Sequence, residues 1–236
     1  MGCSTMTPLC RKIVAMPLIT FEGSEGCGKS TQVKRLAARL EKWGIRPAVL
    51  REPGGTAIGE AIRHLLQHSE DNHAMTPETE LLLFEASHSQ LVREKIQPAL
   101  RRGEWVICDR FFDSTTVYQG AARQLDLGLL KKLNAFAVGD CVPELTFVLD
   151  IDRATAQSRL WNRQKLRDRM EEESDKFHER MIRAYRELAE NKPRRVVQAD
   201  GRKSVHLIEN EIRQTISARF PDLGKHQTSN IKLQTS

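Results

Sequence analysis

Gly23-Ser24-Glu25-Gly26-Cys27-Gly28-Lys29-Ser30, followed by Thr31, carries the densest chemistry of the chain. A glycine, four residues, then Gly-Lys-Ser is the spacing of a polyphosphate cradle. Glycines let the backbone curl until successive N–H groups point inward at an anion. The helix expected next adds the positive end of its dipole. Lys29 can reach the outer phosphates of a nucleotide, and the Ser30 hydroxyl suits Mg²⁺, a hard cation that prefers oxygen. Cys27 reads as a small residue that fits the turn.

Three further stretches can do chemistry. Arg51-Glu52-Pro53-Gly54-Gly55-Thr56 follows an expected strand, which puts Arg51 at the carboxyl edge where open α/β sheets bind ligands; Pro-Gly-Gly is also a plain turn signal. Asp109-Arg110 ends another strand. There a carboxylate can hold Mg²⁺ and a guanidinium can fork onto phosphate, or the two can form a structural ion pair. Asp113 to Gly120 is dense in hydrogen-bonding groups, Ser114, Thr115, Tyr118 and Gln119 among them, and such a cluster can read the polar edge of a base. Phe84 and His88 share a helical face, and an aromatic such as Phe84 is more often core than ligand platform.

The elements that position these groups alternate. Apolar runs at 17–22, 47–51, 104–109, 145–150 and 194–198 have strand length and composition, and helical periodicities separate them. The pattern predicts an α/β fold: a parallel sheet with helices on both faces. Val33, Leu36, Leu40 and Trp43 mark a helix stopped by Gly44. Ile58, Ile62, Leu65 and Leu66 are expected on one buried face. Thr76-Pro77 starts a long helix running towards Gly103, with a bend at Pro98. Asp152 caps a helix carrying Arg159 and Arg163, Phe177 to Leu188 forms another buried stripe, and Val205, Ile208, Ile212 and Ile216 form the last.

Composition narrows the class. At 236 residues, 39% hydrophobic and 29% charged, the chain fits one globular domain. No apolar run approaches the ~20 residues of a membrane helix. The five cysteines are scattered without metal or disulfide spacing, which points to a reducing cytoplasm. The formal charge of +6 is concentrated in 153–169, where Arg153, Arg159, Arg163, Lys165, Arg167 and Arg169 face one acid, Asp168. A local cationic segment beside a phosphate site reads as a polyphosphate clamp, not a nucleic-acid face. Residues 1–16 read as a flexible extension, 17–220 as the domain, and 221–236 as a disordered tail.

Over 17–220 the chain resembles the thymidylate kinases. The matching stretches are Phe21-Glu22-Gly23 through Thr31, Arg51 to Thr56, Leu81 to Phe84, Asp109-Arg110, Ser114-Thr115 with Tyr118-Gln119-Gly120, and Asp168-Arg169-Met170-Glu171. The resemblance implies a three-layer P-loop kinase fold, five parallel strands with helices on both faces and a basic lid near 159–171. It implies Mg²⁺-dependent phosphoryl transfer from ATP to dTMP, in a homodimer without nucleic-acid or membrane partners. Gly23, Ser24, Glu25, Gly26, Cys27, Gly28, Lys29, Ser30 and Thr31 would hold ATP, with Ser30 and Asp109 at the metal. Arg51, Pro53 and Ser114 would line the dTMP site. There Glu25 would meet the sugar 3′-hydroxyl, Arg110 the phosphate, Phe84 the thymine face, and Thr115, Tyr118 and Gln119 its edge. Gly26 stands where one branch of the family has an arginine, so the clamp would come from the lid; Lys29, Arg110, Arg163 and Arg169 are the catalytic candidates. Two departures stand out: His88 replaces a frequent arginine, and the lid is about one residue longer before Asp168. A kinase for another nucleoside monophosphate, or a non-catalytic nucleotide-binding paralogue, is the rival reading.

Overall fold

The computed structural model describes residues 16–161, 168–221 and 223. Five strands, β1 (Leu18–Glu22), β2 (Ala48–Arg51), β3 (Val106–Asp109), β4 (Leu145–Asp150) and β5 (Val196–Asp200), form one parallel sheet in the order β2-β3-β1-β4-β5. Helices α1 (Lys29–Lys42), α2 (Ala57–Gln67), α3 (Pro77–Leu91), α4 (Gln97–Arg101), α5 (Phe112–Thr115), α6 (Leu127–Val138), α7 (Arg153–Trp161), α8 (Asp175–Asn191) and α9 (Val205–Arg219) connect and cover it.

The period-two geometry of β1 divides the interior. Ile19 and Phe21 pack with Val33, Leu36 and Leu40 of α1 and with Ile208, Ile212 and Ile216 of α9. Leu18 points to the other face, among Leu91, Ile96 and Ala137. Beside it Val148 and Val196 pack against Phe177, Met181 and Tyr185 of α8. Both faces of the inner strands are therefore dry, which is why they read as unbroken apolar runs.

The same pleat sends Glu22, at the carboxyl end of β1, into a buried position. The register sets Phe21 opposite Asp109, and Asp109 opposite Arg51. Three chemically active strand ends thus lie at one edge.

Several expectations need adjusting. Ile62 and Leu66 of α2 are buried but Ile58 and Leu65 are exposed, because the apolar residues wrap two sides of the helix. Val205 is exposed as the first residue of α9, beyond the reach of the core. The long helix does not simply bend at Pro98; it passes through a π turn, Val92–Ile96, into α4. Proline lacks an N–H and crowds the carbonyl four residues back, and a widened turn accommodates both. Met16 and Leu223, placed at the flexible ends by sequence, pack against the main core; the rest of the 1–16 and 221–236 expectations falls almost wholly outside the described residues.

Candidate active site

The loop between β1 and α1 is shaped for an anion. Gly23 has φ 131°, and a Cβ there would lie 2.5 Å from the Leu149 carbonyl oxygen, so no other residue fits. Helices α2, α3, α6, α8 and α9 begin with side-chain caps from Thr56, Thr76, Asp126, Ser174 and Ser204, whereas α1 has none and no acid in its first turn. Its leading N–H groups and dipole remain available to a ligand. Lys29 Nζ curls back to donate to the carbonyls of Gly23 (2.9 Å) and Ser24 (2.8 Å). Ser30 Oγ donates to Asp109 Oδ2 at 2.6 Å, so two hard oxygen ligands already stand together.

Arg110 follows Asp109 with φ 70°, in the left-handed region that a non-glycine residue enters at a cost of about 1–3 kcal/mol. Its N–H is held by the Phe21 carbonyl at 2.9 Å. The turn aims its guanidinium at Glu25 (2.6 Å), Tyr118 Oη (3.0 Å), Ser114 Oγ (3.1 Å) and Tyr185 Oη (3.2 Å). Burial opposes ionisation of Glu25, but Arg110 and Lys29 outweigh it and hold its carboxyl below the ordinary range. Behind Arg110, Glu22 accepts from the Phe111 N–H (2.8 Å), Ser114 Oγ (2.5 Å) and Tyr185 Oη (3.0 Å). Burial, reinforced by Asp113, raises its pKa to about 7.

Three cavities open around this edge. One, open to solvent, is lined by Lys29, Ser30, Asp109 and Arg110 together with Arg51, Arg63, Asp168 and Glu171. Burial and the nearby Arg51 lower the pKa of Arg63, the mark of cations gathered without full compensation. A narrower one of about 340 Å³ is lined by Pro53, Phe84, Thr115, Tyr118, Gln119 and Met170. Glu25, Gln67 and Arg110 line both, so the two are continuous. The third, on the other side of the loop, is bounded by Gln32, Arg159, Gly201, Lys203, Val205 and Ile208.

A cationic chamber joined to an aromatic slot is the shape of a nucleotide monophosphate site beside a polyphosphate loop. Residues 21–212 match the family described as Thymidylate kinase. The thymidylate kinase of Chlorobium luteolum is 44% identical over 87% of this chain and 99% of its own. That of Geobacter sulfurreducens is 45% identical over 86% and 97%. The crystal structure of thymidylate kinase from Ehrlichia chaffeensis superposes with a TM-score of 0.69 at 31% identity, covering 86% of this chain and 99% of that one. The chain belongs to the thymidylate kinase family. Its fold is accordingly the P-loop kinase fold.

Against that family background the sequence-derived site residues fall into three groups. Glu25 to Thr31 of the loop, with Arg51, Pro53, Phe84, Asp109, Arg110, Ser114, Thr115, Tyr118 and Gln119, line the cavities just described, whereas Gly23 and Ser24 do not; Thr115 Oγ1 is buried there without a partner among the described residues. His88 is not brought to them. Its ring lies edge-on to Phe111 at 5.5 Å, its Nδ1 is 3.6 Å from Glu85, and it is 1% exposed. The shorter side chain stays behind the wall, an ion-pair length from Glu85. Burial disfavours its charge, but Glu85, Glu52 and Glu22 outweigh this and raise its pKa.

The lid arginines make the third group. Arg169 pairs with the fully buried Glu80 and donates to the Leu66 carbonyl at 3.2 Å, so it faces away from the phosphate chamber. Arg159 donates to the carbonyls of Gly26 (3.3 Å) and Gly201 (2.9 Å). Arg163, Lys165 and Arg167 lie outside the described residues. Sequence reasoning passed over Glu22, Arg63, Gln67, Glu80 and Arg123. Glu22 adjoins the loop motif, and a charged residue closing a buried strand was its available signal; the others meet only through tertiary packing.

Proposed function

We propose the following division of labour for the reaction this chain catalyses, transfer of the γ-phosphoryl group from ATP to dTMP, giving dTDP and ADP. The phosphate loop and Lys29 hold the ATP phosphates. The cavity bounded by Arg159, Gly201 and Lys203 takes the adenine end, because it opens on the far side of the same loop. The dTMP base enters the slot against Phe84, with Pro53, Ser114, Thr115, Tyr118 and Gln119 around it. Its phosphate rests on Arg110, with Arg51 and Arg63 facing it.

An oxygen of that phosphate attacks the γ-phosphorus as the bond to the β–γ bridging oxygen breaks and ADP leaves. Little covalent help is required; alignment and charge neutralisation carry the rate. Lys29, at the start of α1, and Arg110, just past the end of β3, approach the two phosphate groups from separate elements. The paired oxygens of Ser30 and Asp109 fit Mg²⁺, which when bound neutralises charge on the β- and γ-phosphates. Arg163 stays the candidate for the lid clamp, while Arg169 is better suited to anchor the lid on Glu80.

The observation that carries this reading is the continuity of the cationic and aromatic chambers at Arg110. ADP release measured with ATP and each of the common nucleoside monophosphates tests it. A clear preference for dTMP is expected; equal turnover of purine monophosphates would overturn the base assignment, and tight DNA binding without turnover would favour a non-catalytic role.

We place the chain in the cytoplasm as a homodimer. Cys27, Cys108 and Cys141 carry free thiols, as a reducing compartment allows, and no helix of the described residues is long and apolar enough to cross a membrane. Ile58, Leu65, Leu82, Leu129 and Phe136 are exposed on α2, α3 and α6, with α3 packed between the other two. Such an apolar face suits a second copy. Phe136 is 78% exposed, and Phe136→Glu should shift the sedimentation mass to that of a monomer.

A further inference from the structure

Where the two substrate chambers meet, the wall is made by Glu25, Gln67 and Arg110. Arg110 donates to four side chains through its two terminal nitrogens. Glu25 uses one oxygen, Oε1, to accept from Arg110 and from Tyr118 (2.8 Å), while Oε2 is buried without a partner. Gln67, the last residue of α2, likewise has its Oε1 buried and without a hydrogen-bond partner among the described residues. Two neighbouring polar groups withdrawn from water and left unmatched cost free energy, unless a ligand completes them.

A nucleotide lying through this passage, with its base in the aromatic slot and its phosphate on Arg110, puts its sugar between Glu25 and Gln67. A deoxyribose offers one hydroxyl, with one proton to donate and lone pairs to accept. An ionised carboxylate can only accept. A carboxamide can present either end, because rotation about its terminal bond exchanges oxygen and nitrogen. The two residues therefore match the two sides of a single hydroxyl. We propose that Gln67 is a substrate-binding residue that donates to the sugar hydroxyl oxygen of the acceptor nucleotide, while Glu25 takes the hydroxyl proton.

This rests on the dTMP placement given above and adds to it a specific reader of the sugar, at the end of a helix that otherwise packs against α3. Gln67 discriminates against acceptor nucleotides lacking the hydroxyl. Such analogues leave two buried polar groups unpaired, and sites built around a hydrogen bond reject substrates that cannot make it.

The test pairs two substrates with two variants. kcat/KM is measured for dTMP and for its 3′-deoxy analogue in the parent, in Gln67→Met and in Gln67→Glu, with the melting temperature of each as a check on folding. Both substitutions remove the amide donor, so one suffices where the other does not fold. For dTMP a loss of about tenfold is expected, the scale of one hydrogen bond. For the 3′-deoxy analogue the loss is expected to stay under about threefold. Equal losses on both substrates would make Gln67 a structural residue, and no loss on either would place it away from the nucleotide; both results overturn the proposal. Failure of the underlying dTMP placement looks different: the parent itself would then not prefer dTMP to other monophosphates.

Discussion

At the phosphate end of the cleft Lys29, Arg51, Arg63 and Arg110 face one chamber, whereas at the base end Arg123 and Arg169 turn from the slot and close on Glu80. Both ends are rich in arginine, yet the first gives Arg110 and Arg51 one carboxylate each, Glu25 and Glu60, and leaves Lys29 and Arg63 on backbone carbonyls, whereas the second gathers two guanidiniums on one buried acid. Glu80 is fully buried and receives Arg123 in a fork (3.1 and 2.9 Å), Gln119 Nε2 (2.7 Å) and Arg169. Burial opposes its ionisation, but those donors outweigh it and lower its pKa. Cations at the first end come from α1, β2, α2 and the end of β3 and line one open chamber; cations at the second are used in joining α3, the π turn Thr116–Ala122 and the lid's carboxyl end. The number of basic residues near a site therefore says little until their counter-charges are located.

The largest separation between the two ends should come from Lys29→Ala. Turnover is expected to fall by ~10³-fold or more, the range of an essential charge on a transferring phosphoryl group, with the melting temperature nearly unchanged. The side chain bonds only to its own loop, not to the core. A variant retaining activity within threefold of the parent would dissolve the contrast, since the phosphate end would then not need its lysine.

Glu80→Gln tests the opposite end. Two guanidiniums would lose their shared buried partner, and breaking such a pair typically costs about 3–5 kcal/mol. Denaturant unfolding should show that loss, whereas the phosphate end's affinity for ATP should change little. A stability change under about 1 kcal/mol would mean that Arg123 re-pairs fully with Glu173, already 2.5 Å away.

These two residues also mark what a sequence can and cannot disclose. Lys29 was legible because its chemistry is local: glycine spacing, strand and helix all fall within one short stretch. The inner strands were legible for a similar reason, since burial on both faces leaves mostly apolar runs, while the edge strand β2 was legible from its apolar composition although Val49 is exposed. Glu80 was not, because nothing near it in the chain resembles Arg123 or Arg169; only folding brings them together. Phe84 shows the middle case. Its residue type favoured a core role, and its place on the slot wall depends on where α3 packs, which periodicity does not give. The lid arginines show the limit in the other direction, for the family resemblance and the local run of positive charge put Arg169 among the phosphate-clamp candidates, and a buried acid holds it elsewhere.

A smaller effect distinguishes the ends by pH. Burial raises Glu22, and likewise Glu52, from 4.5 to about 7. Between those values the unfolded chain has released these protons and the native one retains them. Stability is therefore greatest below about pH 4.5 for these groups and is lost as pH rises to about 7, by on the order of 3 kcal/mol each. Glu22→Gln keeps an acceptor for Phe111 and should flatten its share of that slope. An unchanged slope between pH 5 and 8 in the variant would show that Glu22 is ionised throughout.

The smallest effect is expected at His88, although the family resemblance made it a candidate for reading the base. A histidine facing the base would tighten dTMP binding as it gained a proton, because a second donor would become available. The ring instead lies behind Phe111 and does not line the slot. The groups facing it are Glu85 on its own helix, Glu52 at the end of β2 and Glu22 at the end of β1, all carboxyls, and together they raise its pKa. Protonation of His88 thus answers to these acids and not to the nucleotide. The KM for dTMP between pH 5.5 and 8 should accordingly be the same in the parent and in His88→Gln, within about twofold, while the variant loses stability because Glu85 keeps no cation at 3.6 Å. His88→Arg should bring no gain in KM either, since a longer side chain starting behind Phe111 meets the same acids first. A KM that falls with pH in the parent and not in His88→Gln would instead put the imidazole on the thymine edge, and would extend the ligand-facing charge of the phosphate end into the base end.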